Sequence, residues 1–155
     1  MKTFVVLSDS HGRKKNVEKL LPLFAENDYV VHLGDGSSDM RDFFRDDPDK
    51  TYVMKGNCDF SYGLEEIVIE AENVRIFCCH GHKYGVKSTL ARLAARAKEL
   101  DCSVALYGHT HRADITQLNG VLLVNPGSVG DYASPSYCYL VVHGDIVTPA
   151  IVPIR

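Results

Sequence analysis

The stretch TFVVLSDSHG, Thr3 to Gly12, passes from an apolar, β-branched run straight into a knot of polar side chains. Thr3 to Leu7 reads as a buried strand, and Ser8-Asp9-Ser10-His11 sets a carboxylate and an imidazole at its carboxyl end. Gly12 then opens a helical pattern, with Val17, Leu20, Leu21 and Phe24 on one face and Pro22 placed to kink or shorten it. Strand, ligand-bearing turn and helix in that order begin a layered α/β domain.

The same event recurs four more times. YVVHL (29–33) runs into Gly34-Asp35, and TYVMK (51–55) into Gly56-Asn57-Cys58-Asp59. VRIFCC (74–79) runs into His80-Gly81-His82, and SVALY (103–107) into Gly108-His109-Thr110-His111. In open α/β sheets ligands bind outside the carboxyl ends of the strands. Neighbouring strands of shared direction therefore bring all five loops to one edge. His109 and His111 stand two residues apart, the spacing that puts side chains on one face if the strand continues.

Between these points the pattern is regular. Ser37 to Arg45 predicts a short helix, and Ser88 to Leu100 the clearest one, with Leu90, Leu93, Ala94, Ala97 and Leu100 as its apolar stripe. Glu66–Ala71 and Val74–Cys79 predict a hairpin turning at Glu72-Asn73. Asn119-Gly120 and Gly144-Asp145 mark two more, the first by a strong two-residue signal. Strands alternate with helices over the first two thirds and form an antiparallel meander in the last, which predicts a mixed sheet system.

The chain has 155 residues, enough for a single domain (1–155) with a sizeable core. Its apolar fraction of 45% and charged fraction of 24% are those of a soluble globular protein. A net charge of −3 supplies no global field for nucleic acid or an acidic membrane, and no aromatic platform for bases is visible in the sequence. An acidic substrate must be drawn by a local charge. No apolar run approaches a membrane span, and the five-residue run after Lys2 lacks a cleavage pattern. Five cysteines without C-x-x-C suggest neither a disulfide framework nor a zinc knuckle, and fit a reducing cytoplasm.

The donors form a coherent set: Asp9 and Asp35 carboxylates, the Asn57 amide oxygen, and the imidazoles of His11, His80, His109 and His111. Oxygen mixed with imidazole suits Mn²⁺, Fe or Zn²⁺. Seven ligands exceed one tetrahedral ion and suit two, roughly 3.5–4 Å apart, sharing a carboxylate. Taken singly, Asp35-Gly36 reads as a turn, Asp9-Ser10 as a helix cap, Asn57 as a turn residue and His80 as a buried strand-end histidine. Joint placement at equivalent strand ends is what outweighs those readings. His32 and His143 lie inside strands and read as structural, Asp145 as a turn residue, and Asp42 to Asp49 as a solvated face. Arg13, Lys14 and Arg112 lie near the site and read as solvated.

The ordered motifs D-x-H, G-D, G-N-C-D, H-G-H and G-H-x-H, from Asp9 to His111, and NPGSVG from Asn125 to Gly130, resemble those of the calcineurin-like metallophosphoesterases. More closely they resemble the small single-domain phosphodiesterase branch, to which a eukaryotic retromer subunit is related. The resemblance implies a four-layer αββα sandwich of two mixed sheets flanked by helices, and a dinuclear centre, Mn²⁺ foremost with Zn²⁺, Fe²⁺ or Ni²⁺ as alternatives. It implies Asp9, His11, Asp35 and His111 on one ion, and Asp35, Asn57, His80 and His109 on the other. Asn57 and His80 then count as catalytic as well as ligating, and the NPGS turn lies near the site without a catalytic role.

Larger phosphatases of the superfamily carry G-N-H-E or G-N-H-D, whose histidine protonates the leaving oxygen; here Cys58 stands in its place. A neutral thiol is a poor acid for that task, and His82 is the candidate replacement. The expected activity is metal-dependent hydrolysis of a small phosphodiester by a metal-activated hydroxide. The competing expectation is an interaction scaffold of the retromer-subunit type with a vestigial site, which predicts lost ligands. The resemblance also admits a homodimer.

Overall fold

The computed structural model describes all residues, 1–155. Along the chain the strands are β1 (Lys2–Leu7), β2 (Tyr29–His32), β3 (Thr51–Val53), β4 (Glu66–Ala71) and β5 (Val74–Cys79). They continue as β6 (Val104–Leu106), β7 (Asp114–Leu118), β8 (Val121–Asn125), β9 (Ser136–His143) and β10 (Ile146–Pro153). The helices are α1 (Lys14–Glu18), α2 (Leu21–Glu26), α3 (Arg41–Asp46) and α4 (Ala91–Glu99). A 3-10 turn, Ser37–Met40, leads into α3.

Two five-stranded sheets result, in the orders β10-β9-β1-β2-β3 and β4-β5-β6-β8-β7. Each has three parallel strands, β1-β2-β3 and β5-β6-β8, with antiparallel strands outside them. Phe4, Val6, Val31 and Leu33 of the first sheet meet Ile76, Cys78, Leu106 and Val124 of the second in a core between the sheets. Val5, Leu7 and Val30 point the other way and pack with Val17, Leu20 and Phe24 of the helical layer. Phe77, Ala105 and Leu123 likewise pack under Leu93, Ala94 and Ala97 of α4. Burial on both faces explains why these strands are continuously apolar instead of alternating. Each large apolar side chain so buried contributes about 1.5–3 kcal/mol. The expected four-layer αββα architecture is the one observed.

Three local expectations change. The helix after Gly12 is two short helices, because Pro22 sits in the first turn of α2, where its missing N–H costs nothing. Leu21 consequently leaves the buried face and is 41% exposed. α4 starts at Ala91 instead of Ser88, after Thr89 Oγ1 accepts the Ala91 amide at 3.2 Å. β6 ends at Leu106, before the two histidines that follow it. The three hairpins fall where the turn residues placed them. No helix is long and apolar enough to cross a membrane.

The parallel strands of both sheets end at the same edge, where their loops bond to one another. Asp9 N–H donates to Gly34 O at 2.9 Å, His11 N–H to Asp35 O at 3.0 Å, and Gly108 N–H to His80 O at 2.9 Å. β8 joins them as a sixth strand end: Val129 N–H donates to Ser8 O and Gly130 N–H to Asp9 O.

Candidate metal centre

At this edge the first sheet delivers Asp9, His11, Asp35 and Asn57, and the second delivers His80, His109 and His111. Their donor atoms fall into groups within 4.8 Å: Asp9 with His11 and His111, and Asp35 with His80 and His109. Asp35 Oδ2 is 3.3 Å from His80 Nε2 and 3.9 Å from His11 Nε2, so this carboxylate touches both groups. Asn57 Oδ1 stands 3.1 Å from His80 Nε2. His109 and His111 therefore diverge into different groups, each with a left-handed backbone, φ 72 and 62°. Loop conformation, not a shared strand face, aims them.

Five of the eight non-glycine residues with positive φ are Asp9, His11, Asp35, His109 and His111. That conformation costs an L-residue energy and persists only where the surroundings hold it. Gly108 permits one close approach: a Cβ there would run into Ser8 Oγ and Asp9 Oδ2. Gly56 permits another, against Asp35 Oδ1.

The donor set fits cations. Asp9 is fully buried; its Oδ2 accepts Ser8 Oγ at 2.6 Å and the His109 amide at 3.1 Å. Its Oδ1 has no hydrogen-bond donor, although Nε2 atoms of His111, His11 and His80 stand 3.2, 3.7 and 4.0 Å away. His80 Nδ1–H donates to Leu33 O at 2.7 Å, which leaves Nε2 as a lone pair facing Asp35 and Asn57. His11 and His111 oppose Nε2 to Nε2 at 3.2 Å. Nitrogen and oxygen donors gathered this closely form a cradle that a cation would fill.

The charge balance is consistent with this. Burial raises the Asp9 pKa, but the His11 and His111 imidazoles outweigh it and hold the carboxyl well below the usual range. Asp35 follows the same pattern, with burial opposed by His80 and the Cys58 amide, and lies at about 2. Burial pushes His80 down, but Asp35 and Asp9 outweigh it and its pKa is raised. Asp9 raises His11. Burial lowers His109.

Six residues outside the ligand set hold the ligands in place. Asp59 accepts four backbone amides, those of Asp35 (2.8 Å), Gly36 (3.0 Å), Ser37 (3.1 Å) and Gly56 (2.8 Å), and so fixes the Asp35 and Asn57 loops to each other. His32 accepts the Gly34 amide on Nδ1 at 3.1 Å, so its Nε2–H donates to Ser10 Oγ at 2.9 Å, and Ser10 donates to Asp39 at 2.7 Å. Asp39 also accepts the Gly12 amide. From the NPGS turn, Ser128 Oγ donates to Asp9 O at 2.8 Å and Asn125 Nδ2 to Gly108 O at 3.1 Å. The hint in the sequence was G-N-C-D itself, whose last carboxylate had no partner assigned.

Cys58 and His82 complete the surroundings. Cys58 Sγ groups with His11 and Asp35 donor atoms, closer than a ligand set without cysteine requires. Burial and then Asp35 raise its pKa, so the thiol stays neutral. His82 lies outside the ligand groups, its ring centroid 5.4 Å from His80 and 6.1 Å from His109. Arg13 stacks on Tyr132 at 3.2 Å, Lys14 pairs with exposed Asp42, and Arg112 is exposed.

Residues 1–146 match the family described as the calcineurin-like phosphoesterase superfamily domain. A probable metallophosphoesterase of Bacillus subtilis, YsnB, is 34% identical over 149 residues, covering 93% of this chain and 86% of that one. The phosphodiesterase YfcE of Escherichia coli is 26% identical over 156 residues, covering 83% and 80%. A crystal structure from Streptococcus pneumoniae, described as a conserved uncharacterized protein and predicted phosphoesterase, superposes with a TM-score of 0.82 at 29% identity, covering 98% and 89%.

Proposed function

We propose that this chain, which belongs to the calcineurin-like phosphoesterase superfamily, hydrolyses small phosphodiesters at a centre of two divalent ions, manganese foremost. The observation that carries the reading is the convergence of carboxylate and imidazole donors from both sheets in two adjoining groups, with buried Asp9 Oδ1 left without a donor. Asp9, His11 and His111 would hold one ion and His80, His109 and Asn57 the other, with Asp35 shared. Bound there, the ions would supply water activation and charge neutralisation at the phosphoryl oxygens.

The protein's own share is positioning and proton handling. His80 is oriented by Leu33 O, and Asp35 by the Cys58 amide at 2.8 Å. The neutral Cys58 thiol offers the leaving oxygen little acid help. His82 is the imidazole left to give it a proton, but burial, His80 and Lys83 lower its pKa and keep it mostly neutral. Weak acid assistance favours diesters with good leaving groups over poor ones. A scaffold with a decayed site would have lost donors, whereas all seven positions carry competent ones.

The same reading places the protein in the cytoplasm, where its five free cysteines stay reduced. It acts there on small diesters, without a membrane or a nucleic-acid polymer as partner. The homodimer admitted by resemblance is checked by sedimentation.

Release of p-nitrophenol from bis-p-nitrophenyl phosphate tests the reading. Turnover is expected with Mn²⁺ and not after chelation, and is lost in Asn57→Ala and His80→Ala. Turnover indifferent to metal, or both variants at the native rate, contradicts it. His82→Ala is expected to slow poor-leaving-group diesters most; an unchanged rate on those removes His82 from the mechanism.

A further inference from the structure

A cavity of about 400 Å³ opens directly beside the donor groups. Its lining includes His11, Asp35 and Cys58, and also Arg41, Phe60 and Tyr62. Its size suits a nucleotide-sized ligand. Three features of the Arg41–Phe60–Tyr62 lining call for a ligand of particular chemistry.

The first is a free cation. The Arg41 guanidinium carbon lies over the Tyr62 ring, 4.8 Å from its centroid, and Arg41 makes no ion pair. The nearby acids of α3 are engaged elsewhere: Asp42 by Lys14 and Arg45, and Asp46 by Arg45. The cation–π contact with Tyr62 holds the guanidinium in place and leaves its N–H donors for an anion. The second is a free aromatic ring. Phe60 is 97% exposed, against the strong tendency of phenylalanine to be covered. The third is rigidity. Asp59, next to Phe60, accepts four amides and anchors the loop that carries the ring. The acids on the cavity wall do not occupy Arg41, since Asp59 is turned to those amides and Asp35 to the donor groups.

We infer that Arg41 and Phe60 form a subsite for one ester arm, selecting a phosphodiester whose arm carries a nucleobase and a second phosphate. The inference rests on the phosphodiesterase reading and names its substrate class. With phosphorus at the donor groups, the arm lies along the cavity. The base stacks on Phe60, where a π face binds any base, and the second phosphate meets Arg41 in a charge-assisted pair.

The test compares the thymidine dinucleotide TpT with its terminally phosphorylated forms, pTpT and TpTp, on the Mn²⁺-loaded full chain. One phosphorylated form is expected to show a KM about tenfold below that of TpT, the value of one charged hydrogen-bonded contact. That ratio collapses to unity in Arg41→Ala and is partly kept in Arg41→Lys. Phe60→Ala raises the KM of all three dinucleotides. Equal KM values for all three in the native protein, or a preference that survives Arg41→Ala, overturns the subsite. If no diester is turned over, the hydrolase reading fails separately. Calorimetric binding of the phosphorothioate analogues then decides the subsite: an Arg41-dependent preference for one phosphorylated form supports it, and identical affinities overturn it.

Discussion

Left-handed backbone at non-glycine residues occurs at both ends of this sandwich, for different reasons. At the end away from the site it falls on Glu72 and Asn119 in hairpin turns and on Asp101 after α4. Those residues are exposed. At the other end it falls on five of the seven proposed metal ligands. A turn residue is there for the shape of the chain, and glycine would serve as well. A ligand in the same conformation is there for its side chain, and its strain is held by bonds such as Asp9 to the His109 amide. The same substitution should therefore give opposite results at the two ends.

The largest contrast is His109→Gly against Asn119→Gly. The first is expected to lower metal-dependent hydrolysis roughly 10²–10³-fold without lowering the melting temperature of the metal-free protein, since a strained side chain is removed. The second should change neither. Kinetics with thermal melts of both variants check this; a His109→Gly protein that keeps its rate breaks the comparison.

Next in size is Asp59→Ala. It leaves four amides without their acceptor and is expected to cost on the order of 3 kcal/mol of stability, as charged hydrogen bonds do. It should also lower activity by about 10–100-fold, the usual effect of residues that orient ligands. Urea unfolding and metal titration read the two effects. An Asp59→Ala protein of native stability would mean that the loops are held by something else.

His32 sharpens the comparison through pH. Complete burial lowers its pKa from 6.5 to about 4. As pH falls below 6.5 the unfolded chain takes up this proton and the folded one does not. The stability that neutral His32 contributes is thus complete above pH 6.5 and lost progressively down to about 4, on the order of 3 kcal/mol in all. His32→Gln should be less stable than the native protein at pH 7 and close that gap by pH 4. A gap independent of pH removes His32 from the titration. The smallest expected effect is Glu72→Gly, within about 1 kcal/mol of native stability and with native activity.

Much of this was legible because apolar runs ended abruptly in donors. The TFVVL-SDSH and VRIFCC-H junctions located strand ends and ligands at once, and Asn119-Gly120 fixed a hairpin by turn chemistry alone. What stayed hidden depended on contacts distant in sequence. G-N-C-D marks Asp59, but its role shows only when the Asp35 loop, 24 residues away, folds over it. The allocation of the ligands to two sheets was equally hidden, since β1 and β6 look alike as sequence and only pairing separates them. The divergence of His109 from His111 required the backbone, because β6 stops short of both. The exposed Phe60 ring was unreadable, since hydrophobicity alone predicts that it is covered.

The central claim is that strand ends from two sheets build one two-ion centre around a shared Asp35. Calorimetric titration of Mn²⁺ into the chelated full chain, beside Asp35→Asn and His109→Ala, tests it most directly. Two ions per chain are predicted for the native protein, with both sites weakened by Asp35→Asn and one by His109→Ala. A single ion per chain, or an Asp35→Asn protein that still binds two with native affinity, would contradict it.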